Sequence, residues 1–154
     1  MNQPMPDTVG GIPIHPLVVH AVVVLVPLAG LGVGAISLVP KWRGRYGILV
    51  MSAAVLAALL VPIATQSGES LEEFAGDSEL IDRHAELGNT MLWGAIPLAV
   101  VAVVLWWLGR RTERGQSVPR WASMLVGGVG LVVAIAVLVQ IVLIGHSGAK
   151  AVWG

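Results

Sequence analysis

The sequence predicts an all-α fold, an integral membrane antiparallel four-helix bundle. Three observations carry that prediction. The chain of 154 residues is 56% hydrophobic and only 12% charged, with a mean hydropathy of +0.83. A soluble domain of this length leaves much of its surface in water and cannot hide that much apolar area, so lipid must be part of the solvent. The apolar residues fall into four runs of roughly 20 residues or more, the length that crosses a hydrocarbon core. Three short polar connections join the runs, which makes neighbouring helices antiparallel.

The elements follow in order. Residues 1–14 are rich in Pro and Gly and read as an irregular lead-in. A first helix is expected over about 16–39, with Pro16 in its first turn, where a missing N–H costs nothing. Pro27 lies inside it and is expected to bend it. Gly30 and Gly34 form a small-xxx-small pair that permits close helix approach. After Pro40, the basic and aromatic stretch Lys41–Tyr46 reads as a turn. A second helix is expected over about 47–65, followed by a 66–82 loop in which Ser70 and Glu73 have capping-box spacing. A third helix, capped by Asp77 or Ser78, is expected over about 79–108, and a fourth over about 120–146. The Gln66-Ser67-Gly68 and His146-Ser147-Gly148 stretches read as helix ends and turns rather than nucleophile motifs.

Charge sets the expected orientation. Lys41, Arg43, Arg45, Arg110, Arg111, Arg114 and Arg120 lie in the two loops of one face, which the positive-inside rule makes cytoplasmic. All acids but Glu113 lie on the other face. The expected location is therefore the cell membrane, multi-pass, with both termini and the 66–82 loop extracytoplasmic. Trp42, Tyr46, Trp106, Trp107 and Trp121 fall at the basic side, as an interfacial aromatic belt does. The N-terminus lacks the basic residues of a removable signal, so the first helix is expected to stay in the protein.

The same topology brings all four histidines of the chain, His15, His20, His84 and His146, to one face. A single interfacial histidine is ordinarily a hydrogen-bonded surface residue; four on one face point to a site. Imidazole is the commonest nitrogen ligand for metals and haem iron. His20, one turn past Pro16, is expected to be the buried ligand, paired with His84 or His146, while His15 caps the rim. His84, Gly88 and Met91 share a helical face, and Gly88 leaves room for a flat ring. Gly145 and Gly148 flank His146. Gln140, polar within an apolar run, is expected to face the bundle interior.

Three functions compete at this point. The first is a b-type haem protein for electron transfer or sensing. The second is a non-haem metal site that adds Glu69 or Glu86 to the imidazoles, with a solvated acidic face as the plainer account of those carboxylates. The third is a structural subunit that associates with itself or another membrane protein through Gly30/Gly34 and the Gly127-Gly128-x-Gly130 stretch. The chain has no cysteine, which removes disulfides and thiolate metal sites. It has no phosphate loop, dinucleotide fingerprint or nucleophile elbow, so it is not expected to be an enzyme on its own. The bilayer is the expected partner, with a redox partner or self-association besides, and no nucleic acid.

Four separated motifs resemble a known family. They are Gly11-Ile12-Pro13-Ile14-His15-Pro16-Leu17-Val18-Val19-His20, Ala64-Thr65-Gln66-Ser67-Gly68-Glu69, Arg83-His84-Ala85-Glu86-Leu87-Gly88, and Gly145-His146-Ser147-Gly148 running on to Trp153. In order and spacing they resemble the bacterial four-helix membrane family catalogued as domain of unknown function 2231. The resemblance implies a compact integral membrane protein with histidines at one side and no established activity. Members fused or adjacent to redox modules extend the analogy to haem b.

Overall fold

The computed structural model describes Thr8–Val9, residues 12–75 and residues 78–153. Two short strands, β1 (Thr8–Val9) and β2 (Ile12–Pro13), pair antiparallel ahead of the first helix. Four helices follow: α1 (Ile14–Leu38), α2 (Trp42–Ala75), α3 (Glu79–Glu113) and α4 (Arg120–Trp153). Each is long and apolar enough to cross a membrane. Consecutive helices pack on each other and α4 closes the ring against α1, so α1 and α3 sit diagonally, as do α2 and α4.

One spacing runs through all four helices. Buried positions recur at alternating intervals of four and three: Val22, Val26, Ala29, Val33 and Ile36 on α1, and Met91, Ala95, Leu98, Ala102 and Leu105 on α3. The same alternation gives Ala54, Ala57, Val61 and Ala64 on α2, and Ala134, Val137 and Ile141 on α4. This is the seam of a coiled-coil-like bundle. Alanine dominates its centre because lipid supplies no hydrophobic drive between helices, and small residues let backbones close up for dispersion contact. Larger apolar side chains, such as Leu28, Leu49, Leu59 and Val142, face outward to lipid.

The helices differ from the expected bounds in instructive ways. The 41–46 stretch is helical from Trp42, where Trp42 and Arg43 donate their backbone N–H groups to Val39 O and Pro40 O. Gly109 does not end α3, because it is where α2 and α3 touch: a Cβ there would lie 2.6 Å from the Arg43 carbonyl carbon. The stop is Gly115, at φ +71°, the left-handed conformation that glycine supplies after a helix. At the other end, α2 runs to Ala75 and α4 to Trp153, past both Ser-Gly pairs. Ser67 and Ser147 donate their hydroxyls to Ala64 O and Ile144 O, so the side chains bond within the helix rather than cap it. Ser70 and Glu73, expected in the 66–82 loop, lie in the continuation of α2. Ser78 takes the N-cap position of α3 without a side-chain cap bond, and Asp77 lies outside the described residues.

Of the glycines expected to form an outer face, Gly30, Gly34, Gly127 and Gly130 are used inside the bundle, and Gly128 is exposed. A Cβ at Gly30 would lie 3.2 Å from Leu138, and one at Gly34 3.9 Å from Ala134, both on α4. Gly127 and Gly130 receive Arg43 and Ser37. Arg43 is buried, at 3% exposure, without a carboxylate partner among the described residues. Its guanidinium instead donates to Ile36 O, Ser37 O, Ser123 Oγ and Ser123 O. It thereby satisfies carbonyls that the C-terminus of α1 leaves open, where the helix dipole favours a cation. Trp42, Tyr46, Trp107 and Trp121 are exposed around this basic end, while Trp106 packs on Gly47.

Candidate functional site: a cavity between two clasped imidazoles

At the end opposite Arg43 the seam opens into a cavity of about 550 Å³ lined by all four helices. The cause is in the seam residues. The last layers of the seam at this end carry Ala64, Gly68, Gly88 and Gly148, too small to fill the space between the helices. A Cβ at Gly88 or at Gly145 would meet nothing within 4 Å, so both glycines face open volume. Val22, Val61, Met91 and Ile141 form an apolar floor. His15, Thr65, Glu69, His84 and Asn89 bring polar groups to the upper wall, with Asn89 donating to Glu69 at 3.4 Å.

The two imidazoles are held in the same way. The His15 Nδ1 lies 3.0 Å from Ala64 O and 3.2 Å from Ser67 Oγ, with the ring seated on Gly68, whose Cβ would be 3.0 Å from Cε1. The His84 Nδ1 lies 2.9 Å from Ser147 Oγ, with its ring seated on Gly148, again 3.0 Å from a Cβ. These partners fix the tautomers. A carbonyl oxygen only accepts, so His15 Nδ1 must carry the hydrogen. Ser147 already donates its own proton to Ile144 O, so its oxygen accepts from His84 Nδ1. In the neutral form each ring is then an Nδ1–H donor with its lone pair on Nε2. Among the described residues neither Nε2 has a partner. Neither is sealed away, since the enclosed polar side-chain atom without a partner among those residues is Ser37 Oγ.

The histidines do not form one four-membered cluster. His15 and His84 line the cavity from diagonal helices; His20 and His146 are exposed and do not line it. His20, expected to be buried, is exposed, and His15, expected at the rim, is half-buried on the cavity wall. Residues five apart on a helix differ by about 140°, so only one of the pair can face inward. The seam through Val19, Val22 and Val26 selects His15. The His20 ring turns back to bond Pro16 O on its own helix. His146 falls two residues before Gly148, about 200° around α4 from the face that meets His84.

Of the other expected residues, Gly88, Gly145, Gly148, Met91 and Glu69 line the cavity, whereas Glu86 is exposed away from it. Gln140 faces α3, donating to Thr90 Oγ1 at 2.9 Å in a notch left by Gly94. No three His, Asp or Glu side chains converge among the described residues, which removes the geometric basis for a carboxylate-completed metal site. Sequence reasoning missed Ser67 and Ser147 as the residues that orient the imidazoles, and Asn89 and Thr65 at the mouth. A repeat could have shown the clasps: a histidine opens α1 and α3 alike, and a Ser-Gly pair sits in each following helix, at 52 and 63 residues' distance.

The fold and cavity define a small multi-pass membrane protein whose four helices enclose a polar-mouthed pocket at one end. The chain belongs to the family described as "Predicted membrane protein (DUF2231)", whose profile matches residues 11–154 and so includes every cavity residue. No curated protein and no solved structure matches the chain.

Proposed function

We propose that the cavity binds haem b between His15 and His84, on the extracytoplasmic side that the positive-inside rule assigns to this end. The observation that carries this is the pair of clasped rings, each with Nδ1 hydrogen-bonded and Nε2 free, on diagonal helices of one apolar pocket. Histidines that hold metals almost always donate their other ring N–H to an oxygen of the protein, which fixes the ring and raises its basicity. Haem accepts two axial imidazoles and supplies its other four nitrogens itself, so two protein ligands suffice where a bare metal needs more. The volume is within the range of cofactor pockets. Gly88 and Gly145 leave flat, open wall for a planar ring. Arg83, which precedes His84, and Lys150, two residues past Gly148, are exposed, where cations suit propionates.

Held by both His15 and His84, haem would supply one-electron transfer, or sensing of redox state, rather than activation of a bound gas. The test is an absorption spectrum of full-length protein purified from cells supplied with haem. A low-spin haem spectrum is expected, lost in His15→Ala and in His84→Ala and retained in His20→Ala and His146→Ala. A colourless protein, or loss in His20→Ala alone, rejects the assignment.

A further inference from the structure

We propose that the cavity is loaded sideways from the bilayer, through a window between α1 and α4 bounded by Val23 and Gly145, by a flat lipid-soluble macrocycle; that this macrocycle is haem rests on the function proposed above.

The register of the two helices locates the window. Gly30 against Leu138 and Gly34 against Ala134 place α1 and α4 in close contact through the middle of the bundle. Seven residues further toward the histidine end on each helix, the same register brings Val23 level with Gly145. There the contact stops: a Cβ at Gly145 would meet nothing within 4 Å. Val23 is 49% exposed and Gly145 is exposed, yet both line the cavity. Residues that belong to the inner wall and the outer surface at once mark a gap in the wall.

The seams inside each hairpin are closed at this end. His15 seated on Gly68 joins α1 to α2, and His84 seated on Gly148 joins α3 to α4, with Gln140 bonded to Thr90 below it. The α2–α3 seam is spanned at its mouth by Asn89 and Glu69, polar residues suited to headgroups and water. The α1–α4 seam has no polar bridge at this level among the described residues, and its exposed cavity-lining pair is Val23 and Gly145. Val23 is eight residues from His15, about 12 Å along the helix axis. With His15 near the interface, the window faces acyl chains, and only a molecule dissolved among them meets it.

The test uses full-length protein in phosphatidylcholine vesicles. The chain has no cysteine, so Met91→Cys places a single thiol on the cavity floor. Lipid-soluble N-ethylmaleimide is expected to label it, and a bulky, charged stilbene maleimide is not. Gly145→Leu, added to fill the window, is expected to slow that labelling at least tenfold. Gly128→Leu, at an exposed glycine with no neighbour at its Cβ position, leaves it unchanged. Gly145→Ala, a gentler change, gives an intermediate rate if the Leu variant folds poorly. Labelling indifferent to Gly145, or equally fast with the charged reagent, overturns the window. Haem uptake from the same vesicles, read at the Soret band of the cysteine-free protein, is the separate arm. Absent uptake with Gly145-dependent labelling rejects haem and keeps the window; uptake with Gly145-independent labelling does the reverse.

Discussion

Ser147→Ala is expected to weaken haem binding far more than Ser67→Ala, although the two serines occupy matching places in the two hairpins. The difference follows from what each imidazole keeps. Among the described residues His84 Nδ1 has one partner, Ser147 Oγ at 2.9 Å. Without it the ring loses both its orientation and the bond that fixes its Nδ1–H tautomer. Losing such a supporting partner typically costs 10–100-fold in metal affinity, about 1.4 to about 2.8 kcal/mol at 25 °C. His15 Nδ1 keeps the Ala64 carbonyl at 3.0 Å after Ser67→Ala, and the lost contact is the longer one at 3.2 Å. Its tautomer stays fixed, so the effect is expected below about threefold, under roughly 0.7 kcal/mol. The assay is haem titration into the haem-free protein in detergent, followed at the Soret band, with reduced-minus-oxidised spectra to report the ligation state. Equal losses in the two variants, or a larger loss in Ser67→Ala, would refute the argument that the Nδ1 partners govern the site.

Three further predictions concern the scaffold and the rotation of α1. His20→Ala is expected to change stability by less than about 0.5 kcal/mol, because the ring is exposed and bonds only its own helix; thermal unfolding in detergent reads this. Arg43→Met is expected to cost about 3 kcal/mol or more, since it strands the Ile36 and Ser37 carbonyls that the guanidinium satisfies; a lower Tm with α1 and α4 loosened at the basic end, seen by protease access at Lys41, is the signature. Gly109→Val is expected to cost about 1–3 kcal/mol, because its Cβ would lie 2.6 Å from the Arg43 carbonyl carbon and backbone cannot yield as a side chain does; a Tm unchanged from that of the parent would reject the close contact.

Hydropathy alone determined the architecture. Four runs long enough to cross a bilayer, joined by short polar connections, admit little besides an antiparallel bundle, because a spanning backbone must satisfy its hydrogen bonds internally. Charge and topology also placed His15, His20, His84 and His146 at one end, and the His84–Gly88–Met91 face was legible from helical spacing. Only the tertiary structure decided which imidazoles meet. That depends on how each helix is rotated about its axis, and rotation is fixed by seam packing over the whole length, through positions such as Ala29, Ala57, Leu98 and Val137. In a membrane helix both faces are apolar, so the pattern that marks the inner face of a soluble helix is faint; small size, rather than hydrophobicity, marks the interior. The eye is drawn to His20, one turn inside an apolar run, yet Val19, Val22 and Val26 turn it outward and bring His15 inward. The Ser-Gly pairs misled for a related reason. In water they signal helix ends; here α2 and α4 continue through them, since the hydroxyls bond within the helix and each glycine is the seat of a histidine from the neighbouring helix. A glycine that ends a helix and one that admits an imidazole are the same letter in the sequence, and only the packed neighbour distinguishes them.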